Sequence, residues 1–156
     1  KKGVATQDSI EDAISSMSSL NKYSAQELRG YNVNAVTDVT GFGLLGHLKE
    51  MCENSDVSSK INFQDLLFLD GAKELAMSGV LPGGTKRNLK SVEKVVSFND
   101  HLSKIEQLLS ADAQTSGGLL VSMPLEDARS YVKKVNGQTA IIGQITEKKP
   151  YLIKVY

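Results

Sequence analysis

The segment Thr37-Asp38-Val39-Thr40-Gly41-Phe42-Gly43-Leu44-Leu45-Gly46-His47 constrains this chain more than any other. Before it, Asn32 to Thr37 alternates and contains β-branched residues, so it reads as a strand. After it, Leu44, Leu45, Leu48, Met51 and Cys52 recur on one face of a helix. A strand that delivers a carboxylate, then a glycine-rich turn, then a helix start has two readings. Glycines let backbone approach an anion, and free N–H groups at a helix start favour phosphate oxygens. Asp38 would then hold Mg²⁺, an ion that needs only one or two carboxylates plus phosphate oxygens and water. Alternatively, this is a tight strand-to-helix connection with Asp38 as the helix cap. Even in the first case one carboxylate is too few for a dedicated site.

The rest of the chain alternates helices and strands. Ser9 with Asp12 resembles a capping box for a first helix with Ile10, Ala13, Ile14, Met17 and Leu20 at helical spacing. Ser24 with Glu27 marks a second helical start, which Gly30 ends. Ser59 to Phe63 reads as a strand, Leu69 to Met77 as a helix stopped by Gly79, and Leu81-Pro82-Gly83-Gly84-Thr85 as a loop. Residues 86–96 carry no clear pattern, whereas Leu102, Ile105, Leu108 and Leu109 suit a helix over 100–109. Gly118 to Met123 reads as a buried strand, and Pro124 suits the first position of a helix through Val135. Thr139–Thr146 and Tyr151–Val155 read as closing strands joined by a turn at 147–150. The expected class is an α/β (α+β) sandwich, a mixed β-sheet with packed helices, formed by residues 1–156 as one domain.

Composition excludes several functions. The chain has 156 residues, 40% of them hydrophobic and 23% charged, which is globular rather than disordered. Lys plus Arg and Asp plus Glu number 18 each, so no net field attracts nucleic acid or an acidic membrane. No stretch approaches the roughly 20 apolar residues of a membrane helix. The start, Lys1 to Thr6, lacks both an initiating Met and a signal-peptide core, so the expectation is a piece of something longer. Cys52 is the one cysteine; an internal disulfide is impossible, which fits a reducing cytoplasm. It falls on the apolar face with Leu48 and reads as a small buried hydrophobe rather than a nucleophile. His47 and His101 have no partners at zinc-ligand spacing, and His47 lies just off the apolar stripe of its helix, which favours a structural role.

Two further loops hold polar groups beside glycines. Ala111-Asp112-Ala113-Gln114-Thr115-Ser116-Gly117-Gly118 could present hydroxyls and N–H groups to an anion, but a turn closing the preceding helix is favoured. The 81–85 segment precedes Lys86 and Arg87 without the spacing of a phosphate-binding P-loop, and a bare loop is favoured there too.

Taken together and in order, TDVTGFGLLGHL at 37–48, LPGGT at 81–85 and ADAQTSGGLL at 111–120 resemble the carboxy-terminal domain of the selenophosphate synthetases. These belong to a superfamily that includes aminoimidazole ribonucleotide synthetases, thiamine-phosphate kinases and hydrogenase maturation ATPases. The resemblance spans essentially the whole chain, with Ala113 standing where the family often has Pro. It implies an enzyme that makes selenophosphate from selenide, ATP and water, releasing AMP and phosphate. It further implies a cytoplasmic homodimer, with the nucleotide between two domains and its Mg²⁺ held partly by Asp38. Thr40, Gly41 and Gly43 then face the nucleotide. The family's catalytic Cys or selenocysteine and its Lys lie in the amino-terminal half, so this piece is expected to be inactive alone. The alternatives are a non-catalytic paralogue acting as a binding or regulatory subunit, or another superfamily member such as the purine-biosynthetic synthetase.

Overall fold

The computed structural model describes residues 3–135 and 139–156. Its elements in chain order are α1 (Gln7–Ser18), α2 (Lys22–Glu27), β1 (Ala35–Asp38), α3 (Gly43–Asn54), β2 (Ser58–Ile61) and α4 (Ala72–Met77). They continue with α5 (Gly83–Val92), β3 (Val96–Phe98), α6 (Lys104–Ser110), β4 (Leu119–Ser122), α7 (Leu125–Val135), β5 (Gly143–Thr146) and β6 (Ile153–Val155). Single 3₁₀ turns lie at Leu28–Gly30 and Phe63–Asp65.

Two sheets form. One is a ribbon in which β1 pairs antiparallel with β4, Asp38 opposite Leu119. The other has the order β3-β6-β2-β5, with β6 parallel to both β3 and β2 and β5 antiparallel to β2. It is a mixed sheet with helices packed on it, which is the α/β class the alternation of elements leads one to expect.

Helix α3 is the centre of the packing and meets β1, β6, α5 and α6. It buries Leu45, Leu48 and Cys52 against a core that includes Phe63, Val92, Leu109, Ile153 and Val155. Each fully buried side chain of this size removes enough apolar surface to contribute about 1.5–3 kcal/mol. Where β1 delivers its last residue is therefore fixed from two sides, by its ladder to β4 and by the anchored helix that follows.

Several sequence expectations need correction. Helix α1 is capped by Thr6, whose side chain accepts from the Ser9 N–H, and not by Ser9 itself. Its apolar stripe is not core: Ile10, Ile14, Met17 and Leu20 are all exposed. Ser24 lies inside α2 rather than at its start. The 81–85 segment is not a bare loop, because α5 begins at Gly83 with Pro82 in the cap position. Within β4 Leu120 alone is buried and its neighbours are only half-buried. Strands β5 and β6 do not pair with each other. Strand β2 lies between them, and the irregular residues 147–152 cross over to connect β5 and β6 on either side of it. The expected strand from Thr139 starts only at Gly143.

Candidate functional site

Strand β1 alternates in burial, with Val36 and Asp38 on the exposed face of the ribbon and Ala35 and Thr37 half-buried. The ladder continues one residue past the strand. The Val39 N–H donates to the Gly118 carbonyl and the Gly117 N–H donates to the Val39 carbonyl, both at 2.9 Å. Val39 is buried, so the chain is pinned immediately after Asp38 and then reverses into α3.

The reversal is closed from three directions. The Thr40 carbonyl accepts from the Gly43 N–H at 2.9 Å and from the Gln114 N–H at 3.2 Å. The buried Asn88 amide, from α5, donates to the Gly41 carbonyl at 2.8 Å and to the Ala111 carbonyl at 3.2 Å. The His47 ring reaches back from the first turns of α3 to Thr40. Its Nε2 lies 3.1 Å from both the Thr40 backbone nitrogen and the Thr40 hydroxyl.

Two glycines of this turn have physical reasons. Gly43 has φ +69°, a left-handed conformation, and an added Cβ would overlap the Asp112 carbonyl and lie 2.9 Å from that of Ala111. At Gly46 a Cβ would lie 2.7 Å from the Phe42 Cβ, so glycine here lets Phe42 fold back over the helix. The Phe42 ring then sits tilted over His47 with centroids 5.9 Å apart, and remains largely exposed on its other side.

The other two motifs join the same corner. The Thr85 hydroxyl, fully buried, donates to Asp112 Oδ1 at 2.6 Å, and the Gln114 side-chain amide donates to Oδ2 at 2.7 Å. A Cβ on Gly84 would lie 2.9 Å from that of Ala113. The amino-terminal ends of α3 and α5 therefore both abut residues 111–113. Neither helix has a side-chain cap, so its first N–H groups find no side-chain acceptor at the helix start. Two positive helix ends beside one loop make an environment suited to an anion.

Asp38, Thr40, Gly41 and Gly43 thus lie on one continuous turn. The Asp38 carboxylate is exposed, and no hydrogen bond or ion pair among the described residues engages it. It does not cap α3, whose cap position is Phe42. No group of three or more His, Cys, Asp or Glu side chains that could hold a metal occurs among the described residues. The donor set here fits a magnesium ion only as one ligand of a set completed from elsewhere.

The remaining candidates separate from this corner. Cys52 is fully buried, and burial pushes its thiol up from its ordinary value against a weaker opposing hydrogen bond with Ser59. A thiol in that setting is inert packing. His101 is exposed, at the loop before α6. Sequence reasoning missed Asn88, the residue through which α5 ties the turn at 39–43 to the loop at 111–118. Its signal was available in Thr85, Asn88 and Val92, which recur at helical spacing and place two polar groups on the face that also carries Leu89. Reading the glycines at 83 and 84 as loop obscured that helix.

Comparison with known proteins bears on this arrangement. The family "AIR synthase related protein, C-terminal domain" matches residues 7–155. The selenide, water dikinase of Aliarcobacter butzleri is 41% identical over 140 residues, covering 87% of this chain and 40% of that protein. The selenide, water dikinase 2 of Peptoclostridium acidaminophilum is 42% identical over 153 residues, covering 95% and 44%. That of Clostridioides difficile is 40% identical over 159 residues, covering 99% and 46%. The chain thus spans less than half the length of these curated relatives. The crystal structure of a thiamine monophosphate kinase from Aquifex aeolicus matches 99% of this chain and 42% of its own, at TM-score 0.56 and 16% identity, which supports the fold. With its matching segments folded into one corner, the chain belongs to the AIR synthase related family as a C-terminal domain, and its sequence resembles the selenide, water dikinases.

Proposed function

We propose that this chain is the carboxy-terminal half of a selenophosphate synthetase, which converts selenide, ATP and water to selenophosphate, AMP and phosphate. The observation that carries the reading is the convergence of three segments distant in sequence. The turn at 39–43, the start of α5 and the loop at 111–118 are joined by the Asn88 and Thr85 hydrogen bonds, next in sequence to an exposed Asp38 carboxylate that no described residue engages.

In this proposal residues 1–156 form one domain that supplies one wall of a nucleotide site between two halves. Asp38 is one ligand to Mg²⁺, which when bound would neutralise phosphate charge in the transfer. Thr40, Gly41 and Gly43 face the nucleotide. Asn88, Thr85 and Asp112 hold that turn without touching substrate. The catalytic Cys or selenocysteine and Lys belong to the other half, Cys52 being sealed in the core, so the piece is inactive alone. The whole enzyme is proposed to be a cytoplasmic homodimer. No described helix is long and apolar enough to cross a membrane.

The test is complementation. The chain is mixed with a separately expressed amino-terminal half of a selenide, water dikinase, with Mg²⁺, ATP and selenide, and phosphorus NMR follows the product. Selenophosphate from the mixture, and from neither half alone, is the expected result. Silence from two halves shown to be folded and associated would overturn it in favour of a non-catalytic paralogue.

A further inference from the structure

The contact between His47 and Thr40 has a direction that can be worked out from one donor whose identity is certain. The Thr40 backbone N–H can only donate, and it points at His47 Nε2 from 3.1 Å. Nε2 must therefore be the unprotonated nitrogen, and the ring hydrogen sits on Nδ1, which lies 3.6 Å from Glu50 Oε2. Since Nε2 carries no hydrogen, the hydrogen in its second contact, also 3.1 Å, belongs to the Thr40 hydroxyl. Both donors of Thr40 converge on one lone pair. The His47 side chain is 10% exposed and its ring packs against Phe42, so water competes poorly for that nitrogen.

We propose that His47 is a positioning residue that fixes the polarity of the turn: by accepting both the backbone N–H and the hydroxyl hydrogen of Thr40, it leaves the Thr40 side chain as a hydrogen-bond acceptor toward ligand. This rests on the proposed reading that residues 40–43 face the nucleotide. With its hydrogen drawn inward, the Thr40 oxygen keeps lone pairs for a donor, such as water held by a divalent cation. It does not serve as a donor to a phosphoryl oxygen. Phosphoryl oxygens are left to backbone N–H groups at the helix starts. The role also accounts for the Gly46-His47 pair: glycine admits Phe42 against the helix, and Phe42 shields the ring that holds Thr40.

The deciding measurement is the imidazole ¹⁵N spectrum of the purified chain with neither metal nor nucleotide present. A His47 ring with hydrogen on Nδ1 and a bare Nε2 is expected, which is the less common tautomer of free histidine. Hydrogen on Nε2 would overturn the proposal, because the ring would then donate to Thr40 and release its hydroxyl hydrogen outward. A second readout is hydrogen exchange at the Thr40 amide. His47→Gln, whose Oε1 can accept at the same place, keeps the amide protected, whereas His47→Leu speeds its exchange by about tenfold, the effect of losing one such bond. Equal exchange in all three proteins would also overturn the clamp. Should His47→Leu not fold, the ring spectrum of the unaltered chain still decides. Because neither readout involves turnover, failure here is distinguishable from failure of complementation with an amino-terminal half.

Discussion

The Thr85 hydroxyl and Asp112 Oδ1 lie 2.6 Å apart, a short bond between the first turn of α5 and the loop that follows α6. Asp112 is otherwise held by the Gln114 side-chain amide, and the Ala113 N–H approaches the Thr85 oxygen at 3.4 Å. Replacing Thr85 by Val keeps the shape of a fully buried side chain but removes the donor. The expected cost is about 1–3 kcal/mol, because Asp112 keeps a half-buried oxygen without its partner. Urea unfolding measures it, and a double-mutant cycle with Asp112→Ala, which removes the acceptor, separates the pair from its surroundings. A cost below a few tenths would mean that the loop is held without this bond.

Gly43→Ala is expected to be the most damaging single change in the turn. The backbone is left-handed there, and the new methyl would meet the Asp112 and Ala111 carbonyls, neither of which belongs to a flexible side chain. Strain and overpacking together should remove about 2–4 kcal/mol. Loss of the cooperative thermal transition, or a midpoint many degrees lower, is the readout.

Asp38→Ala makes the opposite prediction. An exposed carboxylate that no described residue engages should leave unfolding free energy within about 0.5 kcal/mol of the parent. In the complementation mixture the same change should abolish selenophosphate formation. A large loss of stability would instead make Asp38 structural, and the metal role would have to be dropped.

Helix α6 offers a prediction for pH. Ser103 and Glu106 form a reciprocal capping box, and hydrogen bonds from the Ser103 hydroxyl and N–H hold the Glu106 carboxyl below its ordinary value. A depressed carboxyl contributes stability that is present above its unfolded-state value and is lost as pH falls through the folded one. Ser103→Ala should therefore cost about 1 kcal/mol near neutrality and progressively less in acid. Paired urea titrations of the two proteins across the acidic range give the answer; a difference that grows on acidification would contradict the sign.

Local patterns were enough to find α3, because it carries its periodicity within its own residues, whereas the strand expected over 59–63 lies at Ser58–Ile61 and gives way to a 3₁₀ turn at Phe63. They also located the turn at 39–43, whose glycines and strand-to-helix switch are written in sequence. The inert character of Cys52 followed from its place on the apolar face, and burial bears it out. The same patterns misread α1, because an apolar stripe records what a helix can cover without saying whether this domain covers it. They misread 83–84 as loop, because glycine chemistry marks a turn and a helix start alike.

What the sequence determined by itself was the class of fold, which depends on residue type and short-range spacing, and, through its resemblance to a family, the three segments at 37–48, 81–85 and 111–120. What only the tertiary structure decided was that Asn88 spans two of those segments, that Thr85 closes on Asp112, and that His47 turns its Nε2 to Thr40. It also decided that β2 separates β5 from β6. Each of these depends on which surfaces meet once the core around α3 has closed. Hydrogen-bond partners 23 to 47 residues apart leave no periodic trace in the chain that makes them.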